Sequence, residues 1–254
     1  MRNIWTIARN TFKLEVRDKI LYGIIIFAIL YIFFEIFLGD LVLKELPMVK
    51  SFGLTGIYFF NAIIALFLGT TSFFKDIDRK VVYFIISKPV SRAQFLLGKF
   101  FGLCLVLLMT TAVLAVAYIA LIAYEQGGFD VLGLAAIFMQ YLEMALFLAF
   151  AIFVSTFSSS LLSIVYTSAV FFLGHIVSAL IADAQAVKIT GVKFILVEIF
   201  YYVFPNLEKF DVRNLAIHDV ATPALSVVLA LAYAVAYITF LLSASVWIFN
   251  KKEI

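Results

Sequence analysis

The sequence predicts an all-α polytopic membrane protein with six transmembrane helices. Three observations carry that expectation. Of its 254 residues, 65% are hydrophobic and only 14% are charged, where soluble domains run at roughly 45–50% and about 25%. The mean hydropathy is +1.12, more apolar surface than a soluble chain of this length could bury. The apolar residues, with 29 Phe and only four Pro among them, form long unbroken runs. A membrane β-barrel would instead show short alternating segments.

Crossing roughly 30 Å of hydrocarbon takes about 20 helical residues. Six runs have that length: 20–38, 54–74, 100–124, 131–157, 161–182 and 224–249. Before the first, residues 1–19 read as an amphipathic interfacial helix. Arg2, Arg9, Lys13 and Arg17 fall on one arc, and Ile4, Trp5, Ile7, Ala8, Phe12, Leu14 and Val16 on the other. Such a helix lies in the interface with its cations toward lipid phosphates. Glu15 alone breaks the pattern. No small-residue cleavage site follows, so the stretch does not read as a signal peptide.

Orientation follows from the cations. Residues 1–19, the 75–99 loop and the tail hold 13 of the 19 Lys and Arg. The positive-inside rule places both ends in the cytoplasm. The 75–99 loop contains an apolar stretch, 81–86, too short to cross. Pro89 ends any helix before it, and Ser91 is placed to cap the next. A short helix, a turn and a new helix at the membrane surface would make a docking knob. The segment 183–223 then lies outside. Its apolar part, 191–204, suits a re-entrant helix, stopped by Pro205 and Asn206, and 214–221 suits a second short one. The whole chain reads as one membrane domain, and no internal repeat is visible.

Few polar groups lie inside the runs. Glu35 sits near the outer end of the first, where it can reach the interface. Glu143 sits near the middle of the fourth, and a carboxylate there is costly unless paired, protonated or wetted. Two readings stand for Glu143: a functional polar site in the bundle or at a subunit contact, and a structural carboxyl hydrogen-bonded beside Gln140 or a hydroxyl. His175, in the fifth run, fits a packed, hydrogen-bonded residue better than a metal ligand. Two His and one Cys are too few for a metal site. Ser155, Thr156, Ser158, Ser159, Ser160 and Ser163 read as a tight capped turn, since no base lies near them for hydrolase chemistry. Gly98 and Gly102 form a G-x-x-x-G spacing that permits close helix approach. P-loop, dinucleotide and zinc-protease motifs are all missing. The chain is therefore expected to be no enzyme, with no catalytic, cofactor or metal residues and no nucleic-acid partner.

Several stretches together resemble the type-2 ATP-binding-cassette (ABC) permease family. Ser87-Lys-Pro-Val-Ser-Arg92 followed by Phe95-Leu-Leu-Gly-Lys99 looks like that family's segment between spans two and three. Phe204-Pro-Asn-Leu-Glu-Lys-Phe210 looks like the branch related to copper-enzyme-maturation permeases, as do Ile7-Ala-Arg-Asn-Thr-Phe12 and Glu15-Val-Arg-Asp18. The resemblance covers essentially the whole chain. It implies a permease subunit of an exporter in the cell inner membrane, paired with a second permease copy, most simply as a homodimer. ATP and Mg would be held by a separate ABC ATPase subunit. It implies a coupling helix built around Asp76, Asp78, Arg79, Lys80, Tyr83, Lys88, Pro89 and Arg92. It also implies an outer gate including Phe204, Pro205 and Asn206. The alternatives are a stand-alone secondary transporter and an accessory scaffold subunit. The first would call for charged mid-membrane groups and repeated halves, and only Glu143 qualifies. Met, His and Cys clusters suited to copper are lacking.

Overall fold

The computed structural model describes residues 2–42, 46–78, 90–126, 128–186, 198 and 204–251. Among them are eight α-helices, one 3-10 turn and no strand. The helices are α1 (Arg2–Glu15), α2 (Lys19–Val42), α3 (Leu46–Asp78), α4 (Arg92–Gln126), α5 (Val131–Ser155), α6 (Ser160–Ala186), α7 (Arg213–Ile217) and α8 (Ala224–Lys251). The 3-10 turn, Glu208–Phe210, precedes α7. Each of the six apolar runs matches one long helix, although α5 ends at Ser155, two residues before the end of the 131–157 run. Among the described residues, α3, α4, α5 and α8 are long and apolar enough to cross a membrane. The apolar parts of α2 and α6, Leu21–Tyr31 and Ser160–Ile176, are shorter.

Helix α5 is the axis of the bundle. It packs against α3, α4, α6 and α8, and 72% of its apolar stretch is buried against 22% for α8. A helix that is apolar all round belongs in the interior. Two clusters make up the core. One joins Leu68, Phe73, Leu96, Leu103, Phe147 and Phe249. The other joins Leu54, Phe60, Leu114, Ile122, Met139 and Phe210. Phe27, Phe101, Phe172, Phe240 and Trp247 stay exposed on the outside, as lipid-facing side chains do.

Helix α1 and the last turn of α8 lie at one end of the bundle, here called the termini end, because both pack on the start of α4. The expected interfacial helix ends at Glu15, before residue 19. Its last turn tightens through Arg17 N to Leu14 O (3.3 Å) and Asp18 N to Glu15 O (2.9 Å), and α2 starts at once. Helix α1 docks on α4 through the glycine pair. A Cβ on Gly98 would sit 2.7 Å from Ile7 Cβ, and one on Gly102 would sit 2.6 Å from the Ala8 carbonyl oxygen. The G-x-x-x-G spacing thus seats a helix, as small residues do in membranes. Buried Ala8 and Thr11 face α4 and buried Glu15 reaches α3, while Arg2, Arg9, Lys13 and Arg17 stay exposed on the other side.

At the opposite, distal end, residues 204–217 dip into the bundle. Leu207 and Phe210 are fully buried. The second outer helix is shorter than expected, Arg213–Ile217 in place of 214–221. Asp219 stops it by adopting φ 56°. The Val220 amide then donates to the Leu215 carbonyl (2.8 Å) and the Asp219 amide to that of Ala216 (3.3 Å). This is a left-handed helix cap with Asp where glycine is usual.

Candidate functional site

Three polar clusters lie along the bundle axis. The first ties the termini end. Lys99 on α4, 2% exposed, donates to the Ser72 carbonyl (2.7 Å) and pairs with Asp76 on α3. Glu15 on α1 accepts from the Ser72 hydroxyl (2.6 Å) and lies 3.9 Å from Lys75, which also pairs with Asp18. Glu15 disturbs the α1 pattern because its carboxylate is the polar anchor of the docked face. Ser91 caps α4: the Gln94 amide donates to its hydroxyl (3.2 Å), and the Ser91 amide donates back to Gln94 Oε1 (3.3 Å). This is the reciprocal capping box. Arg92 donates to the Phe249 and Asn250 carbonyls and lies over the Phe249 ring (5.4 Å), closing the last turn of α8 as cations do. Asp76 and Arg92 of the expected coupling set therefore face inward. The Asp78 side chain and all of Arg79, Lys80, Tyr83, Lys88 and Pro89 lie outside the described residues. Between α1, α3 and α4 is a cleft of about 370 Å³ lined by Asn3, Asn10, Glu15, Asp76, Phe95 and Lys99.

The second cluster is in mid-bundle. Glu143 on α5, with no exposed surface, accepts from the Tyr58 hydroxyl of α3 (2.7 Å). His175 Nε2 of α6 is 3.0 Å from the same oxygen and 2.5 Å from the Tyr58 oxygen. Its Nδ1 is 2.8 Å from the Phe171 carbonyl. Gln140 does not touch Glu143 by hydrogen bond; it donates to the Leu54 carbonyl (3.2 Å). Arg213, from the distal segment, lies over the Tyr58 ring at 4.3 Å and grips Asp211 with two bonds (2.8 and 2.6 Å). Burial alone would raise the Asp211 carboxyl, but the Arg213 hydrogen bonds and charge outweigh it and hold the carboxyl below its usual range.

The third cluster closes the distal end. Lys50, at the start of α3 and 1% exposed, meets Asp219 (2.6 Å) and Asp130 (3.5 Å). Asp130 caps α5 by accepting from Gly133 N (2.9 Å) and accepts the Tyr118 hydroxyl (2.7 Å). Of the expected outer gate, Pro205 and Asn206 are buried. Leu207 N donates to the Gly174 carbonyl (3.1 Å), and Asn206 N donates to Tyr233 of α8 (2.9 Å). Phe204 stands at the entry of this segment, half-buried. The expected re-entrant helix 191–204 lies outside the described residues but for Glu198 and Phe204. Glu35 lies in the second half of α2, with its side chain outside the described part. Ser155–Ser163 make the tight turn expected, with Ser163 N donating to Ser159 O (2.8 Å).

Sequence reasoning missed Tyr58, Asp211, Arg213, Lys50, Asp130, Asp219 and Lys99 as site members. Asp130 alone carried a local signal, an Asp just before an apolar helix. Tyr58, Lys50 and Asp219 pair across more than one hundred residues, Lys99 sits at a run's edge, and Asp211 and Arg213 lie between runs. Among the described residues, no group of three or more His, Cys, Asp or Glu could hold a metal. The three clusters offer paired charges, caps and one buried carboxyl–imidazole contact. They can clamp helices, hold a proton or present a docking face.

A sequence profile of the ABC-2 family transporter proteins matches residues 5–254. No curated protein matches the chain.

Proposed function

The chain belongs to the ABC-2 transporter family, and on that premise we propose that it is the permease half of an ATP-driven exporter in the cell inner membrane. A permease component of an ABC transporter moves its cargo across a membrane, and permeases of this family generally work with an ATPase subunit. The observation that carries the reading is the length of the match, residues 5–254, which takes in all six long helices and the α3–α4 connection. The rest of the proposal is finer. Six helices cross the membrane, with the termini end in the cytoplasm as the cation count suggests. The α3–α4 connection, with Arg79 and Lys80, couples to the ATPase. Two copies of the chain pair, and the distal segment around Phe204–Asn206 gates the outer face. A place in the copper-enzyme-maturation branch rests on the resemblance of Phe204–Phe210, Ile7–Phe12 and Glu15–Asp18 alone.

The geometry favours a mechanism of rigid-body movement. ATP closure in the partner pushes the connection, and α3 and α4 carry the push because Lys99–Asp76 ties them at their base. The test is co-purification from native membranes. A nucleotide-binding subunit captured with the tagged chain, and lost in Arg79→Glu/Lys80→Glu while thermal stability holds, supports the reading. Arg92 is left alone because it closes α8. A folded chain with no such subunit overturns it and favours a stand-alone transporter.

A further inference from the structure

The mid-bundle triangle cannot be satisfied by the hydrogens that an ionised Glu143 and a neutral His175 would supply. The Phe171 carbonyl accepts only, so the hydrogen of a neutral His175 is on Nδ1, 2.8 Å away. That leaves Nε2 bare. Around the triangle, Tyr58 Oη, Glu143 Oε1 and His175 Nε2 then have one hydrogen, the phenol's, for contacts of 2.7, 2.5 and 3.0 Å. Two edges would then press lone pairs together in a site where Glu143 has no exposed surface, and a lone negative charge would be buried. One more proton supplies a hydrogen to one of these edges and cancels the lone charge. On Nε2 it gives an imidazolium–carboxylate pair; on the carboxyl it gives a neutral acid donating to Nε2.

We propose that Glu143 and His175 form a proton-binding site in the middle of the bundle, holding one shared proton that leaves when the distal segment lifts. Two contacts join that segment to the site. Leu207 N is bonded to the Gly174 carbonyl (3.1 Å), next to His175 in the chain, and Arg213 lies over the Tyr58 ring (4.3 Å). Among the described residues, the titratable and charged groups around the pair are Tyr58 from α3 and Asp211 and Arg213 from the distal segment. Asp211 and Arg213 neutralise each other (2.6 Å), so the charge balance of the site is set by the shared proton. On departure the proton passes to water. His175, with 25% of its side chain exposed against none for Glu143, is the member through which it exchanges. The site goes beyond the transport reading and does not depend on export or import.

The test uses the full chain in lipid nanodiscs with 15N-labelled histidine. Only two histidines are present, and exposed His218 serves as the internal reference, assigned with His218→Gln. At neutral pH the proton is located by pairing the His175 nitrogen signals with the infrared carboxyl band of Glu143. An imidazolium, or a protonated carboxyl band, that vanishes entirely in Glu143→Gln is the expected result. A neutral His175 beside an ionised Glu143 overturns the proposal. Glu143→Gln keeps the shape and can donate to Nε2, so it is expected to fold. A second measurement tests the route: hydrogen–deuterium exchange at the His175 site should run several-fold faster in Leu207→Pro, with the thermal midpoint of the α1–α4 end unchanged. Equal exchange in Leu207→Pro and wild type overturns release through the distal segment.

Discussion

The termini end and the distal end of the bundle are held by different physics. At the termini end, backbones touch: α1 lies on Gly98 and Gly102 of α4 with no room for a Cβ, and the charges between the helices are buried in pairs. At the distal end, the chain leaves regular structure, and isolated hydrogen bonds satisfy its backbone. Tyr233 takes the Asn206 amide, Gly174 takes that of Leu207, and the Asp219 cap closes α7. Backbone at membrane depth must be satisfied one way or another. Close packing does so with many small contacts and moves as a block. A segment held by a few hydrogen bonds can be lifted by breaking those few. The lesson is that one end is built to transmit a push and the other to open.

The largest expected effect probes the first end. Lys99→Met leaves Asp76 beside a buried site without its cation, and losing one partner of a buried pair costs about 3–5 kcal/mol. Denaturant titration in mixed micelles measures it. The double change Lys99→Met/Asp76→Leu should recover more than half of the loss, because an apolar pair needs no compensation. No recovery would mean that the ion pair itself, through its bond to Ser72, specifies the α3–α4 geometry. Next in size is Gly102→Val, expected to cost about 1–3 kcal/mol because the added carbons meet the Ala8 carbonyl, not a flexible side chain tip. Gly23→Ala on α2 is its control. Nothing lies within 4 Å of that position, so the alanine should be neutral or stabilise by up to about 1 kcal/mol. Equal losses in the two thermal melts would refute the docked helix.

The sequence made the helices legible and the clamps mostly not. Apolar runs of spanning length required helices in lipid, and five of the six runs lie wholly within longer helices, while α5 stops two residues short of the end of its run. Local chemistry was legible too: Ser91 caps α4, and the Gly98–Gly102 spacing seats α1. What stayed hidden was pairing across the chain. Glu143 was visible as an anomaly, but its partners Tyr58 and His175 lie 85 and 32 positions away, and a tyrosine in an apolar run carries no signal of its own. Arg92 shows the opposite error. It reads as a loop cation, yet it folds back onto the Phe249 and Asn250 carbonyls, because only the tertiary fold brings the start of α4 to the end of α8. Glu15 shows that a residue out of pattern on a helix marks the face that docks.

At the distal end the expected effects are smaller and sort by pH. Asp211 is held below the ordinary carboxyl value of 3.8 by Arg213, after burial has worked the other way. A carboxyl lowered by folding adds stability that is complete above its ordinary value and is lost as pH falls through the lowered one. Hydrogen exchange of residues 204–217, taken relative to the intrinsic rate at each pH, should therefore be the same at pH 7 and pH 5 as far as this pair is concerned. On that scale it should speed up only below about 4. Arg213→Gln moves that onset upward toward the ordinary value, and an unchanged onset would remove Arg213 as the cause.

The smallest effect separates strain from pairing at the α7 cap. Asp219 holds φ 56° and also the Lys50 ammonium at 2.6 Å, with 59% of its side chain exposed. Asp219→Ala and Asp219→Gly both remove the carboxylate, and both leave Lys50 with Asp130 at 3.5 Å. They differ only in backbone freedom, since glycine adopts the left-handed region without a Cβ penalty. The glycine variant should thus melt above the alanine variant by an amount worth about 1 kcal/mol. If the two melt together, the cap is not strained, and the ion pair alone holds the turn. If the glycine variant even exceeds wild type, the aspartate is kept at a stability cost. Its reason would then lie in the grip on Lys50, which joins the movable segment to the fixed start of α3.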